Sequence, residues 1–362
     1  MPTEPQPLSR PLPVEEVSQL KQAIDTNDLD RVKTMMTRDP ALHRAPLGYG
    51  KDGPLTWVAE CRVPWEAPGP ARLAMAEWMI ASGSDVHQGG DAPLMRAALN
   101  GYRIPMMEVL LAHGADVNAL WHGHYPILFA SCESMDADAL KWLLDHGAKP
   151  NRGDHGYEFG GHSYAGTALD YLIGSYARAP KRLAACIEIL LAAGGTTRFD
   201  LPGVLPLLRG QLDRLEELMD ADPTLVNRHF PELDCGQSGG RNLLLRGGTL
   251  LHVAAEYGST AAATLLLDRG AEVDSLATVD EAGVGRQTPL FHAVSQFGDA
   301  GLDVARLLIE RGAALTVRAK LPGDYERPGE IVECTPLGYA LLFGGASDRP
   351  TVALLREHGA VE

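Results

Sequence analysis

The sequence has no apolar run near the ~18 residues that a membrane-crossing helix needs, so no membrane segment is expected. Cysteine is sparse: Cys61, Cys132, Cys186, Cys235 and Cys334 are odd in number and far apart. That spacing offers neither a metal knuckle nor a disulfide framework, and it fits a reducing compartment. Basic residues are also short, 32 against 47 acidic, for a net charge of −15. A surface of that sign repels the phosphates of DNA and RNA, which argues against nucleic-acid binding. The small basic group Arg178, Lys181 and Arg182 reads as one solvated turn rather than a phosphate track. No basic stretch followed by an apolar core stands near the first residues, so no secretory signal is expected and the cytoplasm is the default location. A nucleophile elbow, a phosphate-binding glycine loop and a kinase-type signature are missing too.

What the chain does have is a repeat. Leu110-Leu111-Ala112-His113-Gly114-Ala115-Asp116-Val117-Asn118 returns as Leu143-Leu144-Asp145-His146-Gly147-Ala148-Lys149-Pro150-Asn151, and again from Leu266 to Asp274. Weaker copies end at Gly83, Gly194, Gly312 and Gly359, and degenerate ones run 215–223 and 32–40, which makes nine. Gly114 and Gly147 are 33 residues apart and other spacings reach 47, so a basic unit carries insertions. A second signature precedes the glycine-ended copies: Thr288-Pro289-Leu290, Thr335-Pro336-Leu337, Thr249-Leu250-Leu251-His252, Thr167-Ala168-Leu169, Pro54-Leu55, Pro93-Leu94 and Pro126-Ile127. Its chemistry is that of a helix start, with threonine as cap, proline at the first turn and leucine opening the buried stripe. Glycine at the other end stops the second helix in the left-handed conformation. Each unit is therefore helix, turn, helix, glycine stop and extended loop.

These motifs resemble the ankyrin repeat family over roughly residues 17–361. The resemblance implies an all-α solenoid of about nine helix-turn-helix units with long finger loops and polar end caps at 17–46 and 334–362. Residues 1–16, which hold Pro2, Pro5, Pro7, Pro11 and Pro13, are expected to be a disordered leader to a solenoid spanning 17–362. The family's histidine survives only at His252; Thr56, Met95, Leu128, Asp170, Phe291 and Gly338 replace it elsewhere. Histidine-centred bonds between neighbouring units should be correspondingly rare.

The resemblance also implies a concave face lined by first helices and fingers, and hence an interaction scaffold that holds a partner protein or peptide. The residue after the histidine position should face that concavity. Trp57, Arg96, Phe129, Tyr171, His292 and Tyr339 are the candidate anchors, since large aromatics and arginine dominate interface energetics. The alternative is that they pack beneath the fingers. An acidic groove favours a basic partner. The second reading is a small-molecule binder or an enzyme, such as a metal-assisted lyase or hydrolase, with its pocket closed by the fingers around 121–126, 152–166 and 228–248. Glu60, Glu133, Asp170, Glu256, Tyr171 and His292 would be its polar groups. No cofactor is assigned; a divalent metal would need His122 and His124 on one finger to meet His155 and His162 on the next. The insert 62–70, with Trp65, reads as a lid or as a staple to its own repeat, the staple being preferred.

Overall fold

The computed structural model describes residues 11–48, 50–152, 157–159, 162–164, 166–236, 243–323, 329–344 and 348–362, with only the backbone at 157–159, 162–164 and 344. All seven motif-ending glycines have φ between 81° and 116°, the left-handed stop that the repeat requires. Between these stops the eighteen α-helices of the described residues form nine consecutive pairs, and the chain divides into two compact units.

Unit 1 comprises residues 1–171 and 189–196. It holds α1 (Val14–Asp25), α2 (Leu29–Arg38), α3 (Pro54–Glu60), α4 (Pro70–Ala81), α5 (Gln88–Leu99), α6 (Ile104–Ala112), α7 (Ile127–Ser134) and α8 (Ala137–Asp145). The first helices of successive pairs pack in a row, α3 on α5 and α5 on α7, with α4 against α6 behind them. The fingers carry two antiparallel ribbons, β1 (Leu120–Trp121) with β2 (Tyr125–Pro126) and β3 (Tyr157–Phe159) with β4 (His162–Tyr164). These small ribbons are an addition to the all-helical expectation. The helix α1 begins at Val14, inside the stretch 1–16 expected as a leader; residues 1–10 lie outside the described residues.

The chain then passes through α9 (Ala168–Gly174) and α10 (Pro180–Ala192). Unit 2, residues 172–188 and 197–362, continues with α11 (Val204–Leu208), α12 (Leu212–Ala221), α13 (Leu250–Glu256), α14 (Thr260–Asp268), α15 (Pro289–Val294), α16 (Leu302–Glu310), α17 (Pro336–Gly344) and α18 (Pro350–Glu357). Its first helices α13, α15 and α17 pack in sequence, as do α12, α14, α16 and α18. The last finger forms the ribbon β5 (Ala319–Pro322) with β6 (Ile331–Cys334).

Helix starts follow local chemistry. Thr167 and Thr335 cap as expected, their hydroxyls accepting from the N–H of Asp170 and Gly338 at 3.3 and 3.2 Å. Thr288 does not: its buried hydroxyl has no hydrogen-bond partner. Finger asparagines join adjacent pairs. Asn118 donates to the Gly147 carbonyl at 2.9 Å and accepts from Lys149 N–H at 3.0 Å. Asn151 repeats this with Gly194 and Thr196, and Asn227 with Gly270 and Glu272. One amide side chain thus satisfies both a carbonyl left open at a helix end and the N–H two residues beyond it.

Candidate functional site

A carboxylate at the C-terminal end of a helix sits against the negative end of the helix dipole, so it needs a donor to hold it there. Four first helices end this way, and in each case the donor is the residue after the histidine position of the following pair. Asp25, last in α1, accepts from Trp57 Nε1 at 2.7 Å. Glu60, last in α3 and fully buried, accepts from Arg96 Nη2. Glu133 near the end of α7 accepts from Tyr171 Oη at 2.8 Å. Glu256, last in α13, pairs with His292 Nδ1 at 2.7 Å.

The expected anchors are therefore largely enclosed. Trp57 and Arg96 are each 8% exposed, Phe129 2%, and His292 and Tyr339 0%, while Tyr171 is half-buried. Phe129 stacks on Tyr171 with centroids 4.5 Å apart, and Tyr125 meets both edge-on. Tyr339 lies in a core cluster with Leu243, Phe291, Ala319 and Leu321. The glutamates weighed for acid–base work are each engaged by a residue of the following pair, Glu60 by Arg96 and Glu133 by Tyr171 within unit 1, and Glu256 by His292 within unit 2. Asp170 acts locally, accepting from Thr167 N–H at 3.1 Å, and so takes the role of the missing histidine at that helix start.

The histidines proposed for a metal have other partners. His122 Nε2 lies 2.9 Å from Asp52 Oδ1, whose other oxygen accepts from Trp121 Nε1 at 3.0 Å. His124 Nδ1 is 2.9 Å from the His122 carbonyl. His155 lies outside the described residues, and of His162 only the backbone is described. Among the described residues no group of three or more His, Cys, Asp or Glu side chains is placed to hold an ion.

The largest departure from the sequence reading is Arg178. Read there as part of a solvated turn, its side chain is only 2% exposed and forks onto Glu256 through Nε at 3.1 Å and Nη2 at 2.5 Å. Burial pulls its pKa down, but Glu256 outweighs this and holds the guanidinium above its ordinary value. Arg178 also covers the Tyr257 ring, 4.7 Å from its centroid. No local pattern links positions 178 and 256. The available signal was a glutamate on an otherwise apolar helix, which demands a cation from somewhere. Arg103, likewise unremarked, is 1% exposed and donates to the carbonyls of Cys61 at 2.9 Å and Gly101 at 2.8 Å. It fastens one inter-helix turn to the one before. Trp65 lies over it at 5.4 Å, so the insert is stapled to the next pair, while Arg72 Nη2 holds Val63 O of the insert at 2.7 Å within its own pair.

His252 works as the family pattern implies. Its Nδ1 accepts from Thr249 N–H at 2.9 Å, and Nε2 donates to the Gln287 carbonyl at 3.1 Å. Burial, helped by neighbouring His292, lowers its pKa to about 3. Its folded value lies below the unfolded one, so its contribution is full above about pH 6.5 and is lost as pH falls toward 3. The stability gap between wild type and His252→Gln should then narrow from pH 7 to pH 5, by at most about 1.4 kcal/mol per unit. Urea unfolding at several pH values measures it, and a constant gap would mean that the imidazole is not held neutral.

Among the described residues the aromatic side chains that stay exposed lie at turns between the two helices of a pair: Trp65 is 58% exposed, Tyr102 82%, Tyr176 54% and Phe297 77%, while exposed aliphatic residues such as Val279 and Ile331 lie elsewhere. Tyr102 is held at φ 54°, a left-handed conformation that costs a side chain of this size about 1–2 kcal/mol.

A family model described as ankyrin repeats, in three copies, matches residues 70–154 and 208–319, together more than half of the chain. One of the matching solved structures is the crystal structure of the human ASB11 ankyrin repeat domain. It is 22% identical, over 86% of this chain and 99% of that chain, with a TM-score of 0.36. Comparison with curated proteins yields no match. No helix among the described residues is long and apolar enough to cross a membrane.

Proposed function

The chain belongs to the ankyrin repeat family, and from that premise we propose that it is a protein-interaction scaffold whose contact residues stand at the inter-helix turns. The observation that supports this is the contrast in exposure. The first-helix aromatics and cations expected as anchors are taken up by ties between pairs, while Trp65 and Tyr102 of unit 1 present aromatic surface to solvent. Aromatic side chains of this kind supply much contact area at small entropic cost. The net charge of −15 favours a partner with basic groups, through faster association at low salt.

Cross-linking capture from the native cell, with wild type and with the pair Trp65→Ala and Tyr102→Ala compared side by side, tests this. A partner retained by the wild type should be lost, or bound at least tenfold more weakly, by the double variant, and Tyr102→Ala alone, which leaves the contact of Trp65 with Arg103 in place, should weaken capture at an unchanged melting temperature. Equal retention by wild type and double variant would refute the turn assignment. Tyr171→Phe should leave capture intact while lowering stability by about 1 kcal/mol, the ordinary worth of one hydrogen bond.

A further inference from the structure

In unit 2 the degenerate pair α11 and α12 leaves a groove. The helix α11 has five residues, one of them Pro206, and gives way at Gly210 to α12. The loop before it reaches into the core at Gly203, where a side chain would collide with Leu250 and Leu215. So short a helix leaves the first two turns of α12 partly uncovered. Leu215 and Met219 are buried, but Leu212 and Leu218 remain half-exposed, as do Leu201 and Pro206 across from them. The resulting open groove has a volume of about 990 Å³.

Its rim is acidic once internal pairs are subtracted. Arg209 is held by Glu188 at 2.7 and 2.9 Å, and Arg214 by Glu217 at 2.7 Å. Asp200 and Asp213 are exposed and carry no ion pair or side-chain hydrogen bond. An apolar floor between two unneutralised carboxylates fits a chain with an apolar side chain flanked by cations. It does not fit an acidic or wholly polar one.

We infer that this groove docks a short segment of a partner protein in which lysine or arginine alternates with leucine-like residues. The inference rests on the partner-binding reading, for which it names a second surface and a partner chemistry. The probes are three fluorescein-labelled octapeptides, (Lys-Leu)4, (Lys-Ser)4 and (Glu-Leu)4, titrated with the full chain at low salt by fluorescence anisotropy. The first should bind at least tenfold more tightly than the other two. The surface pair Asp200→Lys and Asp213→Lys should weaken it at least tenfold without moving the melting temperature, and Leu218→Ser should weaken it at unchanged charge. Equal binding of (Lys-Leu)4 and (Lys-Ser)4 would reduce the effect to diffuse attraction and overturn the groove. So would undiminished binding by the double lysine variant, or no binding of (Lys-Leu)4 at all. The pair Trp65→Ala and Tyr102→Ala should bind (Lys-Leu)4 like the wild type, so failure of the groove and failure of the turn surface give different results.

Discussion

Glu256→Ala should destabilise the chain by about 3–5 kcal/mol, the range expected when one member of a buried ion pair is removed and the other stays behind uncompensated. The side chain is fully buried; one oxygen takes the fork of Arg178 and the other the Nδ1 of His292. With alanine, Arg178 keeps the carbonyls of Ser175, Ala177 and residue 256 but loses the carboxylate on which it forks. The deletion is thus expensive without the pair having been a large net gain, since its own desolvation offsets most of its attraction. The triple replacement Glu256→Leu, Arg178→Met, His292→Leu should therefore cost less than Glu256→Ala alone. Equilibrium urea unfolding of the variants decides it. A loss below about 1 kcal/mol for Glu256→Ala would mean that Arg178 can reach water.

Gly90→Ala should cost about 2–4 kcal/mol, well above the value at an open left-handed glycine. Gly90 has φ 77° within the broken first turn of α5, where Gly89 and Asp91 are left-handed too. A methyl group there would overlap the Leu120 carbonyl oxygen and crowd Trp121 Cα, both backbone atoms that cannot swing aside. The finger would have to retreat, giving up the 2.8 Å bond from His122 N–H to the Gly89 carbonyl and straining the contact of Trp121 with Asp52. Gly114 is the control, for it has φ 94° with nothing within 4 Å of an added methyl. Gly114→Ala should show only the conformational cost, about 1–2 kcal/mol. Equal melting temperatures for the two variants would contradict the close crossing at Gly90.

The repeat was legible in the sequence because each unit carries its own punctuation. The glycine stop, the threonine or proline start and the leucines between them are local requirements of a helix pair, and the chain repeats them wherever a pair begins or ends. Partnership between pairs was less legible. Trp57, Arg96, Tyr171 and His292 were recognisable as a set, since they occupy one position of the unit, but where they point depends on the helix before them. Weighing Glu60 and Glu256 as polar groups of a pocket overlooks that a glutamate closing a helix is opposed by the dipole, so its recurrence was a signal for a donor one pair onward. Arg178 had no such signal, being 78 residues from its partner. Tyr102 went unnoticed because a single aromatic beside a glycine carries no periodicity. Its exposure in the folded turn sets it apart, since its positive φ is shared with Asn27, Cys61, Met135 and Asp299 in the corresponding turns of other pairs.

The central claim is that the residue after the histidine position ties successive pairs together through a carboxylate at the preceding helix end. Glu60 with Arg96 is the pair that tests it most directly, both side chains being buried in unit 1. The measurement is a double-mutant cycle by urea unfolding, with Glu60→Gln, Arg96→Met and the combination. The account predicts a coupling energy of about 2–3 kcal/mol, the double variant being no less stable than the worse single one. Additive losses, with a coupling near zero, would contradict it.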